Sequence, residues 1–169
     1  MATIRVTPVA VADSSEAARL LHAMERHYEG AGAASEARGA AALEGVLLPG
    51  GPWLGMILAR ADATAVGFAT FSVLCPTEGF RPGLFVKDLF VCGSRRRTGV
   101  GMALLGALAR EARRRGCVRI DWTHAGELTH ECPFINRRRI GGSRGGKWLR
   151  IRRRAPVRPA QTRSRSFWA

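Results

Sequence analysis

The chain lacks long apolar runs, paired cysteines and all but one tyrosine. No stretch approaches the ~20 apolar residues that a membrane helix needs. The opening Met1-Ala2-Thr3-Ile4-Arg5 lacks the apolar core of a signal peptide. A cytoplasmic protein without a membrane partner is expected. Four cysteines, Cys75, Cys92, Cys117 and Cys132, show no paired spacing. Reduced thiols are expected rather than a disulfide framework. No internal repeat is evident. The phosphate-loop pattern G-x-x-x-x-G-K-[ST] is absent. The pattern G-x-G-x-x-G fails too, because Leu104 stands where its third glycine would fall after Gly99 and Gly101.

Acidic residues are missing from one end. Residues 133–169 hold 12 Lys+Arg and no Asp or Glu, a net charge of +12. Residues 1–132 hold 15 basic and all 13 acidic residues, a net of +2. The charge of +14 is therefore a property of an arginine-rich C-terminal segment and not of the body. Nucleic acid is a candidate partner only through that segment, whose arginines can bind phosphate backbones without sequence preference. Trp148, Phe167 and Trp168 could stack on bases. A disordered or frame-shifted tail is the simpler alternative. A domain over residues 1–152, divergent from 124 onward, and a disordered basic tail over 153–169 are expected.

The 169 residues, 46% of them apolar, suit one domain with one real core. Alternation at 3–7 predicts a first strand. Asp13-Ser14-Ser15-Glu16 has the form of a capping box, an acceptor followed three residues later by Glu. Ala17, Leu20, Leu21, Met24 and Tyr28 then line one helical face. A second helix is expected over 36–47. Strands are expected over 53–59 and 65–74, with a hairpin turn at 60–64, and over 84–91. The helix 99–115 carries Val100, Ala103, Leu104, Ala107 and Leu108 as a stripe, and Gly116 stops it. Residues 118–122 alternate again. Strand, turn, helix, strand is a βαβ unit, so its two strands should be parallel neighbours. The earlier strands look hairpin-connected. A mixed sheet flanked by helices, an α/β fold, follows, with 147–152 as a candidate last strand.

The most informative stretch is Asp88-Leu89-Phe90-Val91-Cys92-Gly93-Ser94-Arg95-Arg96-Arg97-Thr98-Gly99-Val100-Gly101-Met102. An apolar strand ends in a basic, glycine-punctuated turn that opens into a helix. Free N–H groups and the dipole at a helix N-terminus favour an anion. Gly99 and Gly101 let phosphates approach the main chain, and the arginines can add charge-assisted hydrogen bonds. The plain alternative is a helix start after an arginine-rich surface turn.

Arg96-Arg97-Thr98-Gly99-Val100-Gly101 resembles the R/Q-x-x-G-x-G/A signature of the GCN5-related N-acetyltransferase (GNAT) family. The segment 82–91 resembles that fold's fourth strand, and 119–123 its fifth. The likeness covers residues 3 to about 123 and leans towards members acting on small amines and diamines. It implies the acyl-CoA N-acyltransferase fold, acetyl-CoA as cosubstrate and an amine acceptor, small molecule or protein. A homodimer is left open. It implies backbone contacts from Phe90 and Val91 to the pantetheine arm. Phosphate contacts are implied from Arg96, Arg97, Thr98, Gly99, Val100, Gly101 and Met102. In that fold the fourth and fifth strands splay apart and the cosubstrate lies in the gap.

Acetyl transfer also needs a base and a proton for the leaving thiolate. Asp88, an acid within an apolar strand beside the expected thioester, is the first candidate base. A surface-facing strand carboxylate, or one paired with Lys87, is the alternative. Glu78 is the second choice, or a contact to a cationic substrate. The family's tyrosine after the fifth strand has no counterpart. Phe134-Ile135, Asn136-Arg137 and Ile140-Gly141-Gly142 stand near its place, and the chain's one tyrosine is Tyr28. A fold that binds CoA with little turnover is therefore the second functional expectation. Cys117, His124, His130 and Cys132 match no zinc spacing, and neither Cys92 nor Cys117 shows an oriented partner of a nucleophile.

Overall fold

The computed structural model describes residues 3–47, 54–124 and 147–152. Residues 1–2, 48–53, 125–146 and 153–169 lie outside this description. With them lie His130, Cys132, the segments around Phe134, Asn136 and Ile140, and the basic tail.

Six strands form one sheet in sequential order: β1 (Ile4–Pro8), β2 (Leu54–Ala61), β3 (Thr64–Leu74), β4 (Gly83–Val91), β5 (Arg119–His124) and β6 (Lys147–Arg152). β1 to β4 pair antiparallel, β4 and β5 pair parallel, and β6 returns antiparallel on β5. The parallel pair is the βαβ unit expected from the alternation, with its crossover helix α3 at Val100–Arg114. β3 is buried along most of its length, as a central strand covered on both faces must be.

Helix α1 (Ser14–Glu29) and the short α2 (Glu36–Ala42), which runs into a π-helical turn at Leu43–Leu47, cover one face. Ala17, Leu20 and Leu43 pack there on Leu58, Phe68 and Phe90. Helix α3 covers the other face with Val100, Leu104, Leu108 and Ala112, against Phe71 and Leu84 among others. Each fully buried Leu or Phe contributes about 1.5–3 kcal/mol by area, so both faces anchor the sheet. Tyr28 departs from its predicted stripe. It stands one turn beyond the core-facing part of α1 and is 71% exposed.

The capping box does not form. Asp13 is the N-cap of α1 but makes no side-chain cap bond. Its carboxylate accepts from the Ala10 N–H at 2.9 Å and from Arg60 Nη2 at 2.7 Å. Glu16 accepts from Arg60 Nη2 at 2.6 Å and from the Ala65 N–H at 3.3 Å. The arginine of β2 thus draws both acids away from the helix end and ties α1 to the sheet. Its pKa is raised, first by the hydrogen bond to Glu16.

Two irregularities matter for the site. The β2–β3 register slips at Ala59/Arg60 and the β3–β4 register slips at Thr70/Phe71. In the second, Thr70 pairs with Asp88 and Phe71 with Val86, so Lys87 is an extra residue on β4. Such a bulge re-aims the chain after it. Leu84 and Val86 face α3, whereas Phe90 faces α1. Without the bulge all three would share one face.

Candidate active site

β4 and β5 are hydrogen-bonded only over Leu84–Val86 and Ile120–Trp122. Beyond Val86 the β5-facing edge of β4 has no ladder partner among the described residues, while Thr123 and His124 pair onward with β6. The two strands part where the bulge begins. The edge from Lys87 to Val91 therefore offers backbone N–H and C=O groups to a ligand, as any open strand edge does. This is the splay that the resemblance implied.

The open edge leads into the turn. After Cys92, a 3-10 turn at Gly93–Arg95 is followed by Arg97 at φ 61° and Gly99 at φ 91°. Gly99 is the N-cap of α3, and a residue with a Cβ would be strained there. Ala103 is the first donor in α3, its N–H bonding the Gly99 carbonyl at 3.0 Å. Helix geometry leaves Val100, Gly101 and Met102 with N–H groups that have no intrahelical acceptor. A Cβ at Gly101 would meet no atom within 4 Å. The space in front of it is free, so the protein's own packing does not require a glycine there. The first N–H groups of α3 thus open onto free space. The Val100 side chain is buried in the core beneath, so only its main chain can take part.

The arginines are placed unequally. Arg95, Arg96 and Arg97 are all exposed. Arg96 Nε donates to the Val91 carbonyl at 3.2 Å, and its Nη2 lies 3.5 Å from His27 Nε2. The end of α1 therefore borders the turn, with His27 also near the Phe90 ring at 6.5 Å between centroids. Of the two residues implied for pantetheine contacts, Val91 already gives its carbonyl to Arg96. Thr98 Oγ1 donates to the Arg95 carbonyl at 2.7 Å and shapes the turn from within.

Asp88 is partly buried, its side chain 19% exposed. Thr70 Oγ1, on the neighbouring strand, donates to Asp88 Oδ2 at 2.6 Å. Lys87 Nζ lies 3.3 Å from both carboxylate oxygens. The pairing with Lys87, given as an alternative to the base role, is present, and the buried Thr70 hydroxyl is an addition that sequence did not show. Asp88 stands about 13 Å before Cys92 along the strand at ~3.3 Å per residue. Glu78 is in the 3-10 turn Glu78–Phe80 before β4, at the opposite end of that strand from the phosphate turn. Tyr28 packs edge-on to His27 at 5.1 Å on the outside of α1. The Cys117 thiol has its pKa pushed up by burial, with Arg115 opposing, which weakens its case as a nucleophile. Among the described residues no group of three metal-ligating side chains occurs. No helix there is long and apolar enough to cross a membrane.

Gly67 is a residue that sequence reasoning missed. It pairs with Val91, and a Cβ on it would lie 2.7 Å from the Phe90 carbonyl oxygen and 3.3 Å from Val100 Cγ1. Its bare backbone lets the start of α3 close onto β3 and β4 beside the turn. An isolated glycine inside a strand pattern was the available signal.

Comparison with known proteins agrees with this geometry. The family model described as "Acetyltransferase (GNAT) family" matches residues 41–137, more than half of the chain. An integron cassette protein from the mobile metagenome of V. cholerae shares 29% identity at a TM-score of 0.65, over 75% of this chain and 76% of its own. An acetyltransferase from Thermus thermophilus is 16% identical at a TM-score of 0.66, over 90% of this chain and 99% of its own. The aminoglycoside acetyltransferase AAC(6')-Iy, solved with a CoA-based bisubstrate analogue, is 22% identical at a TM-score of 0.57, over 75% of this chain and 83% of its own. A search of curated sequences gives no significant match. The mixed sheet, the strand–turn–helix unit and the family match converge on one conclusion: the chain belongs to the GNAT acetyltransferase family.

Proposed function

We propose that this protein is an N-acetyltransferase that moves an acetyl group from acetyl-CoA to a primary amine by direct attack within a ternary complex. The observation that carries the reading is the parting of β4 from β5 after Val86, directly ahead of a helix start with a free anion cradle. The N–H groups of Val100, Gly101 and Met102, with Arg97, Thr98 and Gly99, hold the pyrophosphate. Arg96 adds charge once it gives up the Val91 carbonyl. The open backbone at Phe90 and Val91 aligns the pantetheine amides as a further strand. This directs the thioester back along β4 towards Asp88.

Asp88 is the general base. Its carboxylate accepts a proton from the acceptor ammonium, and the freed nitrogen attacks the thioester carbonyl. The departing thiolate takes its proton from water, because Tyr28 stands exposed on the outer side of α1. A slow enzyme follows. Glu78, at the other end of β4, contacts a cationic acceptor.

The amine class is the finer part of the proposal. Aminoglycoside acetyltransferases are among the structural neighbours, one of them solved with sisomicin. A ribosomal-protein-alanine N-acetyltransferase from Brucella melitensis is another. Together with the likeness to diamine-acetylating members, they define the panel: an aminoglycoside, a diamine and an alanine-terminated peptide. The test is calorimetric titration with acetyl-CoA and CoA, followed by thiol release with each amine. Asp88→Asn should lower kcat/KM by about 10²–10⁴-fold, the span of a lost general base, with CoA affinity unchanged. Tight CoA binding without thiol release for any amine would favour a CoA-binding protein with little turnover. A rate insensitive to Asp88→Asn would move the base elsewhere.

A further inference from the structure

We propose that Lys87 is a self-acetylation site, its ε-amine taking the acetyl group from acetyl-CoA bound to the same chain. The inference rests on the cosubstrate reading above and goes beyond it. The chain has two lysines, Lys87 and Lys147, among 27 basic residues. Every other cation is an arginine, which stays protonated and cannot act as a nucleophile. Lys87 is the extra residue of the β4 bulge and the first residue of β4 beyond the last β5 pairing. It therefore sits at the mouth of the gap. Its side chain is 72% exposed, free to move, and its Nζ lies 3.3 Å from both oxygens of Asp88. Asp88 is held in turn by the Thr70 hydroxyl at 2.6 Å. An ammonium beside an anchored carboxylate at the edge of the thioester gap is what an acceptor amine would present.

The step balances. Asp88 takes one proton from the Lys87 ammonium, and the freed lone pair attacks the thioester carbonyl carbon. A C–N bond forms as the C–S bond breaks, and the electron pair leaves on the CoA sulfur. The second amine proton passes through water to that sulfur, and Asp88 returns its proton to solvent. The products are a neutral acetyl-lysine and CoA thiol. Acetylation removes the positive charge and with it the ion pair to Asp88. Before it occurs, an external amine must compete with Lys87 for the same carboxylate.

The test incubates the full-length protein with acetyl-CoA in the absence of any amine and maps acetylated peptides by mass spectrometry. Calorimetry with acetyl-CoA runs in parallel. Acetylation should appear at Lys87 with a first-order rate that is unchanged by a tenfold dilution of the protein. The rate should fall at least tenfold in Asp88→Asn, which leaves the phosphate turn intact, and in Gly101→Asp. Acetyl phosphate, which has no pantetheine arm, should label Lys87 no faster than Lys147. Bound acetyl-CoA with Lys87 unmodified overturns this inference and leaves the cosubstrate reading standing. Absent acetyl-CoA binding overturns both. Labelling of Lys87 at the Lys147 rate, or undiminished in Gly101→Asp, marks ordinary surface chemistry and overturns the inference. A rate rising with protein concentration overturns the same-chain route.

Discussion

Replacing Gly101 by aspartate should move stability and cosubstrate binding in opposite directions. Gly101 is in the first turn of α3, and a Cβ there meets no atom within 4 Å. No clash opposes the side chain. A carboxylate at a helix N-terminus gains about 0.3–1 kcal/mol from the dipole. Replacing glycine in a helix adds about 0.3 kcal/mol of propensity. The free protein should therefore become more stable by about 0.6–1.3 kcal/mol, or about 1–5 °C in Tm for a chain of this size. The same carboxylate occupies the space proposed for the pyrophosphate. At ~5 Å and an effective dielectric of ~40, each pair of like charges costs about 1.7 kcal/mol. The pyrophosphate carries more than one charge, so CoA affinity should fall by well over tenfold, since ~1.4 kcal/mol is already that factor. Thermal unfolding and calorimetric titration of one purified variant read both effects. Unchanged CoA affinity in the folded variant refutes the cradle. A lower Tm would instead refute the assignment of Gly101 to an unobstructed helix start.

Gly67→Ala should destabilise the fold by about 1–3 kcal/mol, the usual cost of overpacking, because the new Cβ meets the Phe90 carbonyl oxygen at 2.7 Å; CoA affinity should fall with it, and an unchanged Tm would show that the start of α3 is loosely seated. Glu111 has its pKa lowered from the usual 4.5 to about 2, first by the hydrogen bond from Arg114 and then by Arg115, with burial opposing. A carboxylate depressed on folding contributes stability above its unfolded pKa and loses it as pH falls through the folded one. After discounting the exposed Arg114, Glu111→Gln should cost about 1–2 kcal/mol at pH 7. That difference from the parent should shrink between pH 4.5 and 2 in pH-dependent unfolding; a pH-independent difference would mean that packing, not charge, is lost. With the domain placed at 1–152, as we propose, a chain ending at Arg152 should keep its Tm and CoA affinity and lose salt-sensitive binding to nucleic acid. A Tm fall of several degrees would show that residues 153–169 pack on the body.

The strand–turn–helix–strand unit was legible because its determinants are local. Alternation marks β4 and β5, the apolar stripe marks α3, and the glycines at 99 and 101 mark the turn between them. The bonds of the turn and helix span few residues, and the crossover rule then makes the two flanking strands parallel neighbours. The helix start that we propose as an anion cradle was legible for the same reason, since helix geometry alone leaves the first N–H groups without intrahelical acceptors. Local rules failed where distant residues compete. The box at Asp13 and Glu16 obeys the sequence rule for a helix start, yet Arg60, in β2, holds both acids. The apolar stripe of α1 predicted a core face for Tyr28, yet its side chain is exposed and lies edge-on to His27.

The sequence by itself determined the mixed sheet, the family and the glycine-punctuated turn at the start of α3. Tertiary structure alone decided how Asp88 is held. Its bond to Thr70 depends on the register between two strands, and that register depends on one extra residue at Lys87. A bulge inverts which face each later side chain takes. In Gly83–Val91 the adjacent Lys87 and Asp88 break the apolar run, but spacing alone does not say which residue is the extra one. The parting of β4 from β5 is likewise a property of two segments more than thirty residues apart, and it opens where hydrogen bonding between them stops at Val86 and Trp122.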